Sequence, residues 1–260
     1  ASSGTSGDVA VQSGKASGST GAVLLSTGDS LEMRAGDVTI GTGAGMLEGA
    51  PIRIVPGTTS GTTKGGAVEM FSGASMSGDS GAIDVKTADS TASSESGSLS
   101  LTTGDTSGGS SGVVTLGSGS ATNAQAGAVK VAAGESGNGA GASVSVVGGL
   151  SVDDIGGTAS VVAGQGETEG GTLQLEAGKS ANVGGDAVLA GGAAVAGEGG
   201  RVVIQSGASE GSASGAIEVQ TANVGGSSDS GSVRLTTGTS AVKITGSVNI
   251  ASGGSLLGRA

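Results

Sequence analysis

The sequence has no cysteine, no histidine, no tryptophan and no tyrosine, and its only aromatic residue is Phe71. Without cysteine there is no disulfide frame, and without Cys or His the usual zinc-type ligand sets are excluded. An aromatic core is excluded for the same compositional reason. Without histidine, the many serines also lack the base with which they usually form a nucleophilic pair. Basic residues are few: 11 Lys and Arg stand against 22 Asp and Glu, for a net charge of −11. No basic stripe exists, so nucleic acid and anionic membrane are excluded as partners. No long apolar run is present, which excludes membrane insertion by a spanning helix. There is no Asn-X-Ser/Thr acceptor, so N-linked sugar is excluded, while O-linked glycans on Ser and Thr remain open. The start at Ala1, with neither Met nor an apolar leader, suggests a mature or excised segment.

Glycine is abundant instead, at 57 of 260 residues. Such a composition by itself suggests disorder. The order of the residues suggests a repeat. One phrase recurs: small, Gly, any, aliphatic, any, aliphatic, any, small, Gly. It reads SGDVAVQSG from Ser6, AGDVTIGTG from Ala35, SGSLSLTTG from Ser96, AGAVKVAAG from Ala126 and SGSVRLTTG from Ser230. The first aliphatic position runs from Val9 to Val233 in steps of 14, 15 or 16 residues. The second is held by Val11, Leu25, Ile40, Ile54, Met70, Val85, Leu101, Leu116, Val131, Val146, Val161, Leu175, Leu189, Ile204, Val219 and Leu235.

Alternation over five or six residues between glycines is the pattern of a short half-buried strand. It predicts an all-β fold, a parallel β-solenoid of about sixteen short coils of 14–16 residues, with the sixteen second-position aliphatics as its structural core. Coils would stack about 4.8 Å apart. A competing arrangement puts two phrases in each coil. Two positions beyond each core residue the side chain is always small: Ser13, Thr27, Thr42, Pro56, Ser72, Thr87, Thr103, Ser118, Ala133, Gly148, Ala163, Ala177, Gly191, Ser206, Thr221 and Thr237. Three places further on it is again small, Val224 excepted. The first of these positions implies close backbone approach, the second a thin opposite wall, and the glycine pairs imply corners of positive φ.

A longer repeat of 134 residues is superimposed. GAVEMFSGASMSGDSGAIDVKTADS from Gly66 matches GRVVIQSGASEGSASGAIEVQTANV from Gly200. The predicted organisation is a repeat array over 1–238, in two related units of roughly 1–104 (incomplete) and 105–238, followed by an irregular cap at 239–260. Pro51 and Pro56 lack an N–H for a ladder and mark a bulged or exposed coil. Val147, Val162, Val188 and Val203 point outward in the single-phrase arrangement and are candidates for lateral contact.

The phrase resembles those of Gly/Ser/Thr-rich extracellular β-solenoid repeat proteins that build surface hairs and coats in algae and protists. More distantly it is similar to the heads of trimeric autotransporter adhesins, whose Ser-x-Ala-Ile-Gly signature is absent. The resemblance implies a structural subunit of an extracellular filament or cell-surface appendage, whose partners are copies of itself or related fibre subunits. The alternative is a surface-binding adhesin, an ice- or carbohydrate-binding solenoid. No catalytic, cofactor-binding or metal residues are expected, and the chain is not expected to be an enzyme. The Asp153–Asp154 pair reads as a solvated turn.

Overall fold

The computed structural model describes residues 6–91 and 94–254. Among the described residues there is no helix and no strand; the backbone is irregular and is interrupted by short bends, as at 76–78, 152–154, 167–169, 210–212 and 241–243. The all-β solenoid predicted from the alternation is therefore not formed. Alternating aliphatics establish that a stretch has two unlike faces, but they do not specify which backbone lies beside it. A stacked coil needs each arm's N–H and C=O groups bonded to the next arm. In this chain the backbone bonds occur only at the bases of the loops that join the arms.

Those bonds are regular. Gly66 donates its N–H to Gly57 O at 2.9 Å, Gly81 to Gly73 O at 2.9 Å, Gly157 to Gly149 O at 2.8 Å and Gly171 to Gly164 O at 2.8 Å. Gly185 donates to Gly178 O at 2.9 Å, Gly200 to Gly192 O at 2.8 Å and Gly215 to Gly207 O at 3.0 Å. In two further loops a threonine hydroxyl takes over the closure: Thr27 Oγ1 donates to Gly36 O at 3.2 Å and Thr42 Oγ1 to Ala50 O at 3.0 Å.

The closures explain the uneven period. From one donor to the next acceptor the chain always advances seven residues, as from Gly66 to Gly73, Gly157 to Gly164, Gly171 to Gly178, Gly185 to Gly192 and Gly200 to Gly207. From acceptor to donor it advances seven (Gly164 to Gly171, Gly178 to Gly185), eight (Gly73 to Gly81, Gly149 to Gly157) or nine (Gly57 to Gly66). A constant arm of seven plus a loop of seven, eight or nine gives the repeats of 14, 15 and 16. All length variation is confined to the loops.

Loop length follows turn chemistry. In six eight-residue loops the small residue three places beyond the arm is Ser or Thr, and its hydroxyl accepts the N–H three residues on: Met33 to Ser30, Gly78 to Ser75, Gly109 to Thr106, Asp154 to Ser151, Ser212 to Ser209 and Lys243 to Ser240, at 2.9 to 3.2 Å. Such hydroxyls offer the backbone a local partner and so favour turns. In the seven-residue loop Ser180 accepts instead from Asn182, and in the nine-residue loop Thr59 accepts from Gly61. Gly45 and Gly166 occupy the same position in two more seven-residue loops; a Cβ there would overlap the carbonyls of Glu48 and Glu169. The small residue three places on is thus a turn former, not the thin wall expected from the sequence. Val224 is the exception that fits: its loop contains Gly226, which adopts φ 120°.

The expected corners of positive φ are otherwise largely absent. Among the described residues only Gly139 (φ 86°) and Gly226 have it. The other glycines serve close approach. Where the chain opens a new arm, its glycine meets the small residue that ended the previous one: Gly66 would place a Cβ 3.0 Å from Pro56 Cβ, Gly112 3.2 Å from Thr103 Cγ2, and Gly215 3.4 Å from Ser206 Cβ. Pro56 therefore holds an ordinary place at the base of a loop, and no ladder exists for its missing N–H to interrupt.

The chain divides into two units, Ala1–Lys130 and Val131–Ala260. In the first, closures by threonine hydroxyl at Thr27 and Thr42 precede the glycine closures at Gly57 and Gly73. In the second, five glycine closures follow one another from Gly149 to Gly215, and Gly231 and Gly246 then pack against Thr221 and Thr237. Gly246 opens a further copy of the phrase, with Val248 fifteen residues beyond Val233, inside the segment assigned from its spacing to a cap. Residues 255–260 of that segment, and 1–5 of the array, lie outside the described residues.

Candidate assembly interface

None of the sixteen second-position aliphatics is buried. They are exposed to between 60% (Val85) and 82% (Leu175), so the column is not an interior of this chain. First-position aliphatics are better covered, from 47% at Val202 to 64% at Val114, because they stand two residues beyond the closing glycine and rest on the loop base. Val9, which no described loop precedes, is 93% exposed.

The best-covered residues are the small ones that end the arms. Pro56, Thr87, Gly148, Ala163, Ala177, Ser206 and Thr221 are half-buried, and the only other residue of that class is the turn hydroxyl Ser151. Packing within the chain is thus inverted relative to the sequence-based expectation. Close contact is made by small residues against glycine, while the large aliphatics face outward.

The candidate contact residues lie on arms whose two faces are both apolar. Val147 follows Val146, Val162 follows Val161, Val188 precedes Leu189 and Val203 precedes Ile204. Val147, Val162 and Val188 are more than four-fifths exposed, and Val203 is 62% exposed. Val188 also lines an open depression of about 390 Å³, bounded by Leu175, Glu176 and Ala177 on one arm and Asp186, Ala187, Val188 and Leu189 on the next. The loop closure between Gly178 and Gly185 ties these arms at their base, and beyond it they part. No ladder bond joins them.

Ionisable groups do not gather. Among the described residues no group of three or more Asp, Glu, His or Cys could hold a metal ion. Asp154 is committed to its turn: its N–H donates to Ser151 Oγ, and its Oδ1 accepts the Ile155 N–H at 2.8 Å. Arg34 and Asp37 pair at 2.5 Å, three residues apart and well exposed, and Gln174 Nε2 donates to Glu176 Oε2 at 2.8 Å. Among the described residues no helix is long and apolar enough to cross a membrane.

Two features escaped the sequence reading. The closing pairs of glycines and the turn hydroxyls were both visible as invariant small positions, and the 14-, 15- and 16-residue spacing was the signal that separates fixed arm from variable loop. No protein-family model, curated protein or solved structure matches this chain.

Proposed function

We propose that the chain is a non-catalytic structural subunit of an extracellular filament or cell-surface appendage, built by association with copies of itself or related fibre subunits. The observation that carries this is the array of equal seven-residue arms, each presenting two large aliphatics to the outside and held only at its base. The chain exposes 26251 Å². A compact monomer of 23.6 kDa exposes about 9,800 Å² and the extended chain about 34,000 Å². Some 16,000 Å² therefore separates this chain from a self-contained domain, several times what a standard protein interface buries. Material with this much repeated, uncovered apolar surface is suited to assembly. O-linked sugar on loop Ser and Thr is compatible with this role, since the loops are the outermost polar segments.

The test is electron microscopy and sedimentation of the purified chain at rising concentration and salt. The expected outcome is elongated, pelletable polymer. A chain that stays monomeric at every concentration and salt, and that is retained on glycan or ice surfaces, overturns the proposal in favour of an adhesive role.

A further inference from the structure

We infer that the arms of this chain are completed by the same arms of further copies, lying parallel and in register, so that each copy supplies the backbone and apolar partners that its neighbour lacks. This rests on the structural role proposed above and specifies its partner.

Three observations carry it. The arms alternate aliphatic and small or polar residues, as strands do, yet among the described residues their N–H and C=O groups make no bonds to another arm. A row of unpaired backbone groups beside exposed aliphatics is a template for another chain. Second, consecutive arms part beyond their shared closure, leaving the open depression beside Leu175 and Leu189, with both side chains more than 70% exposed. Third, the arms are unevenly spaced. From Val9 the steps are 14, 15, 14, 16, 15, 16, then four of 15, then 14, 14, 15, 15 and 16. A partner that meets every arm must carry the same series in the same order. Another copy of this chain at zero offset does so.

The internal repeat supplies the discriminating case. A copy displaced by 134 residues superimposes Val68 on Val202, Ile83 on Ile217 and Leu99 on Val233. The same shift takes Val38 to 172, one residue short of Leu173, and Val23 to 157, two short of Ala159. A slip of one residue turns every side chain to the opposite face. Zero offset therefore satisfies all arms, and the displaced register only a few. Register also places like charges together, Glu69 over Glu69 and Asp84 over Asp84, on a chain of net charge −11. Assembly should strengthen as salt shortens the screening length, about 8 Å near physiological ionic strength.

The chain has no cysteine, so a single Ser100→Cys substitution creates a unique thiol between Leu99 and Leu101. Neighbouring strands lie about 4.8 Å apart, within the Cα separation of about 4.4 to 6.8 Å that a disulfide spans. Under mild oxidation of the assembled full-length chain, the Ser100→Cys variant should cross-link to itself efficiently. When it is mixed with a mass-tagged Arg234→Cys variant, which tests the 134-residue offset, the mixed dimer should be at least tenfold rarer than either homodimer. Thr115→Cys provides a second position with the same expectation, and urea-unfolded chain should show no preference. Polymer that forms but yields no homodimer at either position, or as much mixed as self dimer, overturns the register while leaving the filament role standing. Chain that never assembles at any salt overturns both.

Discussion

The loop closure at Gly200 permits a test in which one hydrogen bond is approached from its two ends by the same substitution. A Cβ on Gly200 would lie 2.9 Å from Gly192 N and 3.4 Å from Gly192 O, whereas a Cβ on Gly192 meets nothing within 4 Å. Gly200→Ala therefore forces apart the Gly200 N–H and Gly192 O, which are 2.8 Å from each other; Gly192→Ala leaves them in place. Both glycines have negative φ, so backbone strain does not enter. The gain of about 0.4 to 1 kcal/mol from a stiffer unfolded chain applies to both variants and cancels in the comparison. What remains is the closure itself, worth about 0.5 to 1.5 kcal/mol for a neutral hydrogen bond. That corresponds to about two- to twelve-fold in the exchange rate of the amide at position 200. The assay is residue-resolved hydrogen exchange on dilute chain. Protection at position 200 should survive Gly192→Ala and vanish in Gly200→Ala. Equal protection in both variants, or equal loss, would refute the assignment of the glycine to close approach.

Two further outcomes follow from the separation of arm and loop. Inserting one glycine between Thr168 and Glu169 lengthens a seven-residue loop to eight, a length the chain uses elsewhere, and should leave polymer yield by sedimentation within about twofold; the same insertion between Gln174 and Leu175 turns Leu175 to the other face and should abolish it. Ser75→Ala removes the acceptor of the Gly78 N–H, 2.9 Å away, and amide exchange at Gly78 should quicken about two- to twelve-fold, the equivalent of one neutral hydrogen bond, with Gly81 less affected because its own closure to Gly73 persists. Unchanged exchange at Gly78 would show that the hydroxyl does not hold the turn.

Much of this local architecture was legible in the residues. The phrase boundaries are marked by glycine, and arms recur in register because Val11, Leu25 and their successors recur. The small residues ending each arm announced a close approach, which the structure places between Pro56 and Gly66, Thr103 and Gly112, and Ser206 and Gly215. Small residues three places further had two physical causes available, a thin wall or a hydroxyl-held turn. Only coordinates separate these, because Ser75 and Ser209 are small in either case and differ in what their oxygens accept. The corners assigned to positive φ were over-read for a related reason: glycine permits φ > 0 but also permits contact, and at nearly every loop base the second use prevails.

Alternation, spacing and the absence of chemistry-bearing clusters are properties of the one-dimensional string, so the sequence by itself determined the seven-residue arm, the variable loop and the lack of a conventional site. Which surface covers the aliphatics is a property of three dimensions. An alternating stretch pairs equally well with an arm of its own chain or of another, since the backbone groups and the side-chain period are the same. The tertiary structure decided that question for the isolated chain: Leu101, Leu175 and Leu189 remain open because each loop ties its arms at the base and nowhere else.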